Sequence, residues 1–159
     1  DGHFTGLAQL GAVSFTGRNF AGVTQVGVLS AAGNFKGILQ LGVAAISDVS
    51  SVGIQAGGGV LAFGDHAGMQ LGAFTYAEKV SGTQIGVANM ARTVHGVQVG
   101  LFNSAKRLRG VQIGLVNHAE DGVLPWTGLI NMGFGDAPDD DESDDAVATV
   151  RLIESKRVR

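Results

Sequence analysis

Gly96-Val97-Gln98-Val99-Gly100-Leu101-Phe102-Asn103 is followed by Gly110-Val111-Gln112-Ile113-Gly114-Leu115-Val116-Asn117. The same five-residue opening, Gly-x-Gln-x-Gly, stands at Gly82-Thr83-Gln84-Ile85-Gly86 and at Gly68-Met69-Gln70-Leu71-Gly72. The first glycines lie 14 residues apart. A unit this short cannot bury an apolar face of its own, so successive copies must stack on one another.

Looser copies lie upstream. They read Gly6-Leu7-Ala8-Gln9-Leu10-Gly11, Gly22-Val23-Thr24-Gln25-Val26-Gly27 and Gly37-Ile38-Leu39-Gln40-Leu41-Gly42, each with one extra residue before Gln. Gly53-Ile54-Gln55-Ala56-Gly57 bridges the two forms, and Gly128-Leu129-Ile130-Asn131-Met132-Gly133-Phe134 is a final copy with Asn in place of Gln. The residue after each Gln is aliphatic and the residue two beyond that is apolar or Gly. A period of two puts both columns on one face of a strand, expected to face the core, with Gln and the following Gly on the other. A small polar residue five after Gln, such as Asn89, Asn103 or Asn117, fits a turn in which it bonds its own backbone.

The expected architecture is all-β: a narrow β-solenoid of about nine coils of 14–16 residues, spaced about 4.8 Å apart. Gln70, Gln84, Gln98 and Gln112 would form a structural ladder, each amide bonding the next coil, with Asn89, Asn103 and Asn117 beside it. Helices are excluded, because Gly at this frequency costs about 1 kcal/mol per residue relative to Ala inside a helix. The alternative is an antiparallel β-barrel or meander. A membrane barrel would want strands of about 9–11 residues and aromatic girdles, and the chain has one Trp and one Tyr.

Composition bounds the function classes. The 159 residues are 45% hydrophobic, carry a net charge of −3 and include 26 Gly but only 2 Pro. That is a folded chain, without the basic field that recruits nucleic acid. With no Cys, disulfides, thiolate metal sites and a Cys nucleophile are excluded. The domain reading is a repeat domain over 1–135, an acidic linker over 136–145 and a cap strand or basic tail over 146–159. The acidic run lacks the Gly and the ligand spacing of an EF-hand loop.

The tandem phrases over roughly 6–134, most closely those over 68–134, resemble the surface repeat-containing proteins of bacteria. Those carry G-x-Q-x-G-L-x-N repeats and often close with a Leu-Pro segment leading into Ile-Asn and an aromatic. Leu124-Pro125-Trp126-Thr127-Gly128-Leu129-Ile130-Asn131-Met132-Gly133-Phe134 is similar to that closing segment. The resemblance implies a bacterial envelope or surface location and implies no activity.

No catalytic motif emerges. His3, His66, His95 and His118 lack metal-ligand spacing, and Gly57-Gly58-Gly59 lacks the Gly-Lys-Ser/Thr ending of a phosphate loop. No metal, cofactor or catalytic residue is expected. Lys106, Arg107 and Arg109 form a basic patch suited to an anion contact. The functional expectation is a non-catalytic structural or interaction module of the bacterial envelope, with Gln and Asn ladders and charged turns as its binding surface. Its partner would be a protein or envelope component, not nucleic acid. Membrane contact and end-to-end self-association are also envisaged, and the alternative function is a membrane-embedded or pore-forming barrel.

Overall fold

In the computed structural model, residues 2–134 are described, so the acidic segment 136–145 and the segment read as a cap strand or tail lie outside the described residues. The described chain is strand from end to end: β1 (His3–Leu10), β2 (Val13–Val26), β3 (Leu29–Leu41), β4 (Ala44–Val99), β5 (Phe102–Ala119) and β6 (Trp126–Phe134). Neighbours in sequence are neighbours in the sheet. From β1 to β5 every pairing is parallel, and the marker residues are in register: Gln9 with Gln25, Gln25 with Gln40, Gln40 with Gln55, and Gln98 with Gln112. In-register parallel pairing of consecutive coils makes this a β-solenoid, of about seven turns. It is not an antiparallel barrel, whose neighbouring strands would alternate in direction.

Seven turns replace the nine expected partly because the last copy does not continue the winding. Residues 120–125 turn the chain back after Ala119, and β6 then pairs with β5 antiparallel, Gln112 opposite Asn131. Ala119 donates its backbone N–H to the carbonyl of Pro125 (3.0 Å), closing this reversal. Pro125 brings no N–H of its own to a ladder, so it suits a connection better than a central strand. Leu129, at φ 68°, sits where the β5–β6 register shifts.

The facing of the strands is the reverse of the expected one. Gln25, Gln40, Gln55, Gln70, Gln84, Gln98 and Gln112 are all fully buried, while the aliphatic residues beside them point outward. Leu10 is 73% exposed, Val43 67% and Leu115 63%. Strand parity explains the whole pattern: once Gln is inside, its neighbours must be outside. Aliphatic core still exists, but in other columns. Ala62, Ala77, Ala91, Ala105 and Ala119, with Val80, Val94 and Leu108, form one buried cluster. Phe20, Ala32 and Phe35 form a second, with Phe4 packed against it.

Glycine is required two residues before Gln. Gly68, Gly82, Gly96 and Gly110 have φ between 131° and 144°, a region side chains rarely enter. A Cβ on Gly96 would land on the carbonyl oxygen of Gly82 in the coil beneath.

Candidate interaction surface

The interior comes first, because it decides which polar groups remain for chemistry. Each Gln Nε2 donates to the Gln Oε1 of the preceding coil. The bonds run Gln25 to Gln9 (3.1 Å), Gln40 to Gln25 (3.0 Å), Gln55 to Gln40 (2.7 Å) and Gln70 to Gln55 (3.0 Å). They continue from Gln84 to Gln70 (2.8 Å), Gln98 to Gln84 (2.7 Å) and Gln112 to Gln98 (2.8 Å). The second amide hydrogen goes to a backbone carbonyl six residues on, as from Gln112 to His118 (2.9 Å), except at Gln55, which donates to the Ser47 hydroxyl (3.3 Å). Burying an amide without partners costs about 2–7 kcal/mol, so this column is tolerable only because every member is bonded to the next.

The Asn column runs beside it with opposite polarity. Asn89 Nδ2 donates to Asn103 Oδ1, and Asn103 Nδ2 to Asn117 Oδ1, both at 2.8 Å. Asn89 and Asn103 also donate to the backbone oxygens of Val99 and Ile113. These side chains point inward and tie coils together, where sequence reasoning put them at turns bonding their own backbone. Only Asn117 makes such a local bond, to the Gly114 carbonyl (3.2 Å).

The Gln column is closed at its C-terminal end. Gln112 Oε1 has no further Gln above it, and Asn131 Nδ2 of β6 donates to it at 3.4 Å. Asn131 Oδ1 in turn accepts from the backbone N–H of Met132 (2.9 Å). The Gln-to-Asn change that looked like a degenerate repeat sits where the shorter amide meets the end of the column.

What faces solvent is divided by stretch. In each coil the Gln-bearing stretch turns three residues outward: those before Gln, after Gln and three after Gln. Over eight Gln markers these 24 positions are Ala, Val, Leu, Ile, Met or Gly, with Thr24 and Thr83 the polar exceptions and no charge among them. None of the 24 is buried. Among the described residues the charged side chains stand outside these columns. Glu78 Oε1 and Arg92 Nη1 pair at 2.9 Å, both well exposed, so the pair adds little to stability. Tyr76 Oη donates to Glu78 Oε2 (3.3 Å); partial burial and the Glu78 carboxylate raise the phenol's pKa.

Tyr76, Glu78, Arg92, Lys106 and Glu120 line a shallow groove of about 460 Å³. Of the basic trio, Lys106 lines this groove, while Arg107 and Arg109 stand outside it, in register with Thr93 and His95. The structure therefore does not gather the three into one anion cradle. Among the described residues no group of three or more His, Asp or Glu side chains is placed to hold a metal ion.

One of the four histidines, which the sequence suggests as a surface residue, is buried. His66 is 1% exposed; its Nδ1 lies 2.8 Å from Ser51 Oγ, and its Nε2 has no protein partner. Burial lowers its pKa from 6.5 to about 4, so it is neutral at ordinary pH. Its column position, four before Gln70, was the available signal, because Val80, Val94 and Leu108 hold the equivalent inward place.

No protein-family model, curated protein or solved structure matches the chain.

Proposed function

We propose that the chain is a non-catalytic repeat scaffold, a structural or interaction module, that binds through the aliphatic face of its Gln-bearing stretches. The observation that carries this is the inversion. The amides that line the repeats are turned inward and spent on one another, while a continuous uncharged sheet face is left against water. Exposed apolar surface of this extent marks an interaction site in a folded protein. The bacterial envelope as its setting is part of the same proposal, supported by the phrases over 68–134 and their resemblance to surface repeat-containing proteins.

The experiment is fractionation of bacterial cells producing the chain, compared with a Val87→Glu/Leu101→Glu variant. Both positions are about half exposed, so the charges meet water in the free chain and leave the fold intact by circular dichroism. The parent chain is expected in the envelope fraction, and the variant is expected to be released from it. Equal distribution of the two would overturn the reading.

A further inference from the structure

We infer that the aliphatic face is covered by the same face of a second copy, making a face-to-face two-fold dimer. This deepens the scaffold reading above and rests on it.

The first argument is commensurability. The outward side chains stand in rows one coil apart, in register from coil to coil, so the face is corrugated at the strand spacing of about 4.8 Å. Apolar surfaces gain from contact only when ridges enter grooves, because even a small gap forfeits much of the dispersion energy. A second copy carries the same corrugation, and two sheets packed about 10 Å apart with nearly aligned strands interdigitate along their whole length. A two-fold axis lying between the faces makes the contact self-complementary and closed.

The second argument is area. Eight strands at about 4.8 Å span about 38 Å, and the outward columns with the corner beside them cover about 16 Å. The projected face is therefore about 600 Å², and the accessible surface over its side chains is larger. A stable interface needs about 800 Å² per partner, which this face approaches without help from any other part of the molecule.

The test is sedimentation equilibrium on the full chain, with cysteines added to a sequence that has none. The expected mass is twice 16.2 kDa, and Val87→Glu/Leu101→Glu is expected to sediment as monomer with its circular dichroism unchanged. Leu41→Cys and Ile85→Cys are expected to join two chains through a short bis-maleimide, each with itself if the two rods run parallel or only when mixed if they run antiparallel, while Thr5→Cys on the edge of β1 is not. Cross-linking through Thr5→Cys instead would mean edge-to-edge pairing of the open end and would overturn the proposal. A monomeric parent chain would overturn it as well, and flotation of that monomer with vesicles would identify a lipid surface as the occupant. Monomeric behaviour with retained envelope fractionation would sink the dimer alone and leave the scaffold reading standing. A dimer whose disruption leaves the envelope fraction unchanged would sink the scaffold's use of this face while keeping the dimer.

Discussion

The first coils and the last coils of this solenoid reach the same outline with different interiors. Near the N-terminus Phe4, Phe20 and Phe35 stack ring on ring, with centroids 5.0 and 5.2 Å apart and planes within 12°. The Gln markers there are 16 and 15 residues apart. Toward the C-terminus Val80, Val94 and Leu108 fill the same column, and the spacing falls to 14. The added residue lies between the ring and the next Gln: five residues separate Phe20 from Gln25 and Phe35 from Gln40, but four separate Leu108 from Gln112. Gly22 and Gly37 stand two residues after those rings, and a Cβ at either would press on the ring carbons. The two coils between Gln40 and Gln70 are also 15 residues long, with Ser51 and His66 in that column, so ring volume is not the whole cause of the longer coils.

The column five after Gln differs as well. Ser14 and Ser30 each donate to one backbone carbonyl, of Val26 and Leu41, at 2.7 and 2.8 Å. Ala45 and Val60 follow with no polar group to satisfy, and then Thr75 opens the Asn column by donating to Asn89 Oδ1 (2.7 Å). Only the C-terminal coils carry two amide columns side by side. The comparison teaches that the Gln column is common to the whole rod, while the second amide column belongs to the 14-residue coils.

The largest expected effect breaks what the two regions share. Gln98→Leu leaves the Gln84 Oε1 without a donor and the Gln112 Nε2 without its acceptor, both fully buried. Each orphaned group costs about 1–3 kcal/mol, so the loss should be on the order of 3 kcal/mol. Gln9→Leu, at the half-buried end of the column, takes the acceptor from Gln25 Nε2, which keeps its backbone partners, and from the Thr16 hydroxyl, and should cost less, about 1–2 kcal/mol. Urea midpoints at constant slope measure both. Equal, small losses would mean that the amides exchange their partners for water.

How much of this could be read from the residues follows from the same columns. The 14-residue period, the solenoid and the in-register stacking were legible, because Gly-x-Gln-x-Gly recurs at fixed offsets and parallel stacking is the simplest way to superpose identical phrases. The facing was not. A hydropathy rule sends Leu10 and Ile113 inward and Gln outward, and it has no term for an amide satisfied by its own copies above and below. The reversal of β6 was hidden by Asn131, which reads as one more weak copy. Its role depends on Gln112 having no successor, a fact about position along the rod rather than local sequence. Lys106, Arg107 and Arg109 are neighbours in sequence, but alternation along β5 turns Lys106 to the groove and leaves the two arginines outside it.

A second prediction concerns the seam between the two regions, where Ser51 and His66 separate the phenylalanine stack from the valine and leucine column. His66 titrates near 6.5 when unfolded and at about 4 when folded. Between these values the unfolded chain binds the proton and the folded chain does not, so stability falls as pH drops from 6.5 toward 4. At pH 5 the loss relative to pH 7.5 should be about 2 kcal/mol. His66→Val, which copies the residue of the next coil, should remove this component. Parallel melting curves at pH 7.5 and 5.0 read the difference. An acid sensitivity that survives the substitution would put its origin elsewhere in the molecule.

The smallest effect separates the second column from the first. Asn103→Ser imports the residue that Ser14 and Ser30 supply in the wider coils. The hydroxyl can replace the bond to the Ile113 carbonyl but is too short to span both neighbouring asparagines. Asn89 Nδ2 would lose its acceptor while keeping Val99, and Asn117 Oδ1 would lose its donor. With half of each bonding set retained, the expected loss is about 1.5 kcal/mol, less than for Gln98→Leu. Asn103→Ala should cost more than Asn103→Ser, by about 0.5 kcal/mol, since it removes one of the two donors to the Ile113 carbonyl, which keeps the Gly100 N–H. If Ser and Ala prove equal, that carbonyl bond contributes nothing net. The second column would then serve to fix coil-to-coil register instead, and hydrogen exchange at the Gly100 N–H, which shares the Ile113 carbonyl, would show it by faster opening at unchanged global stability.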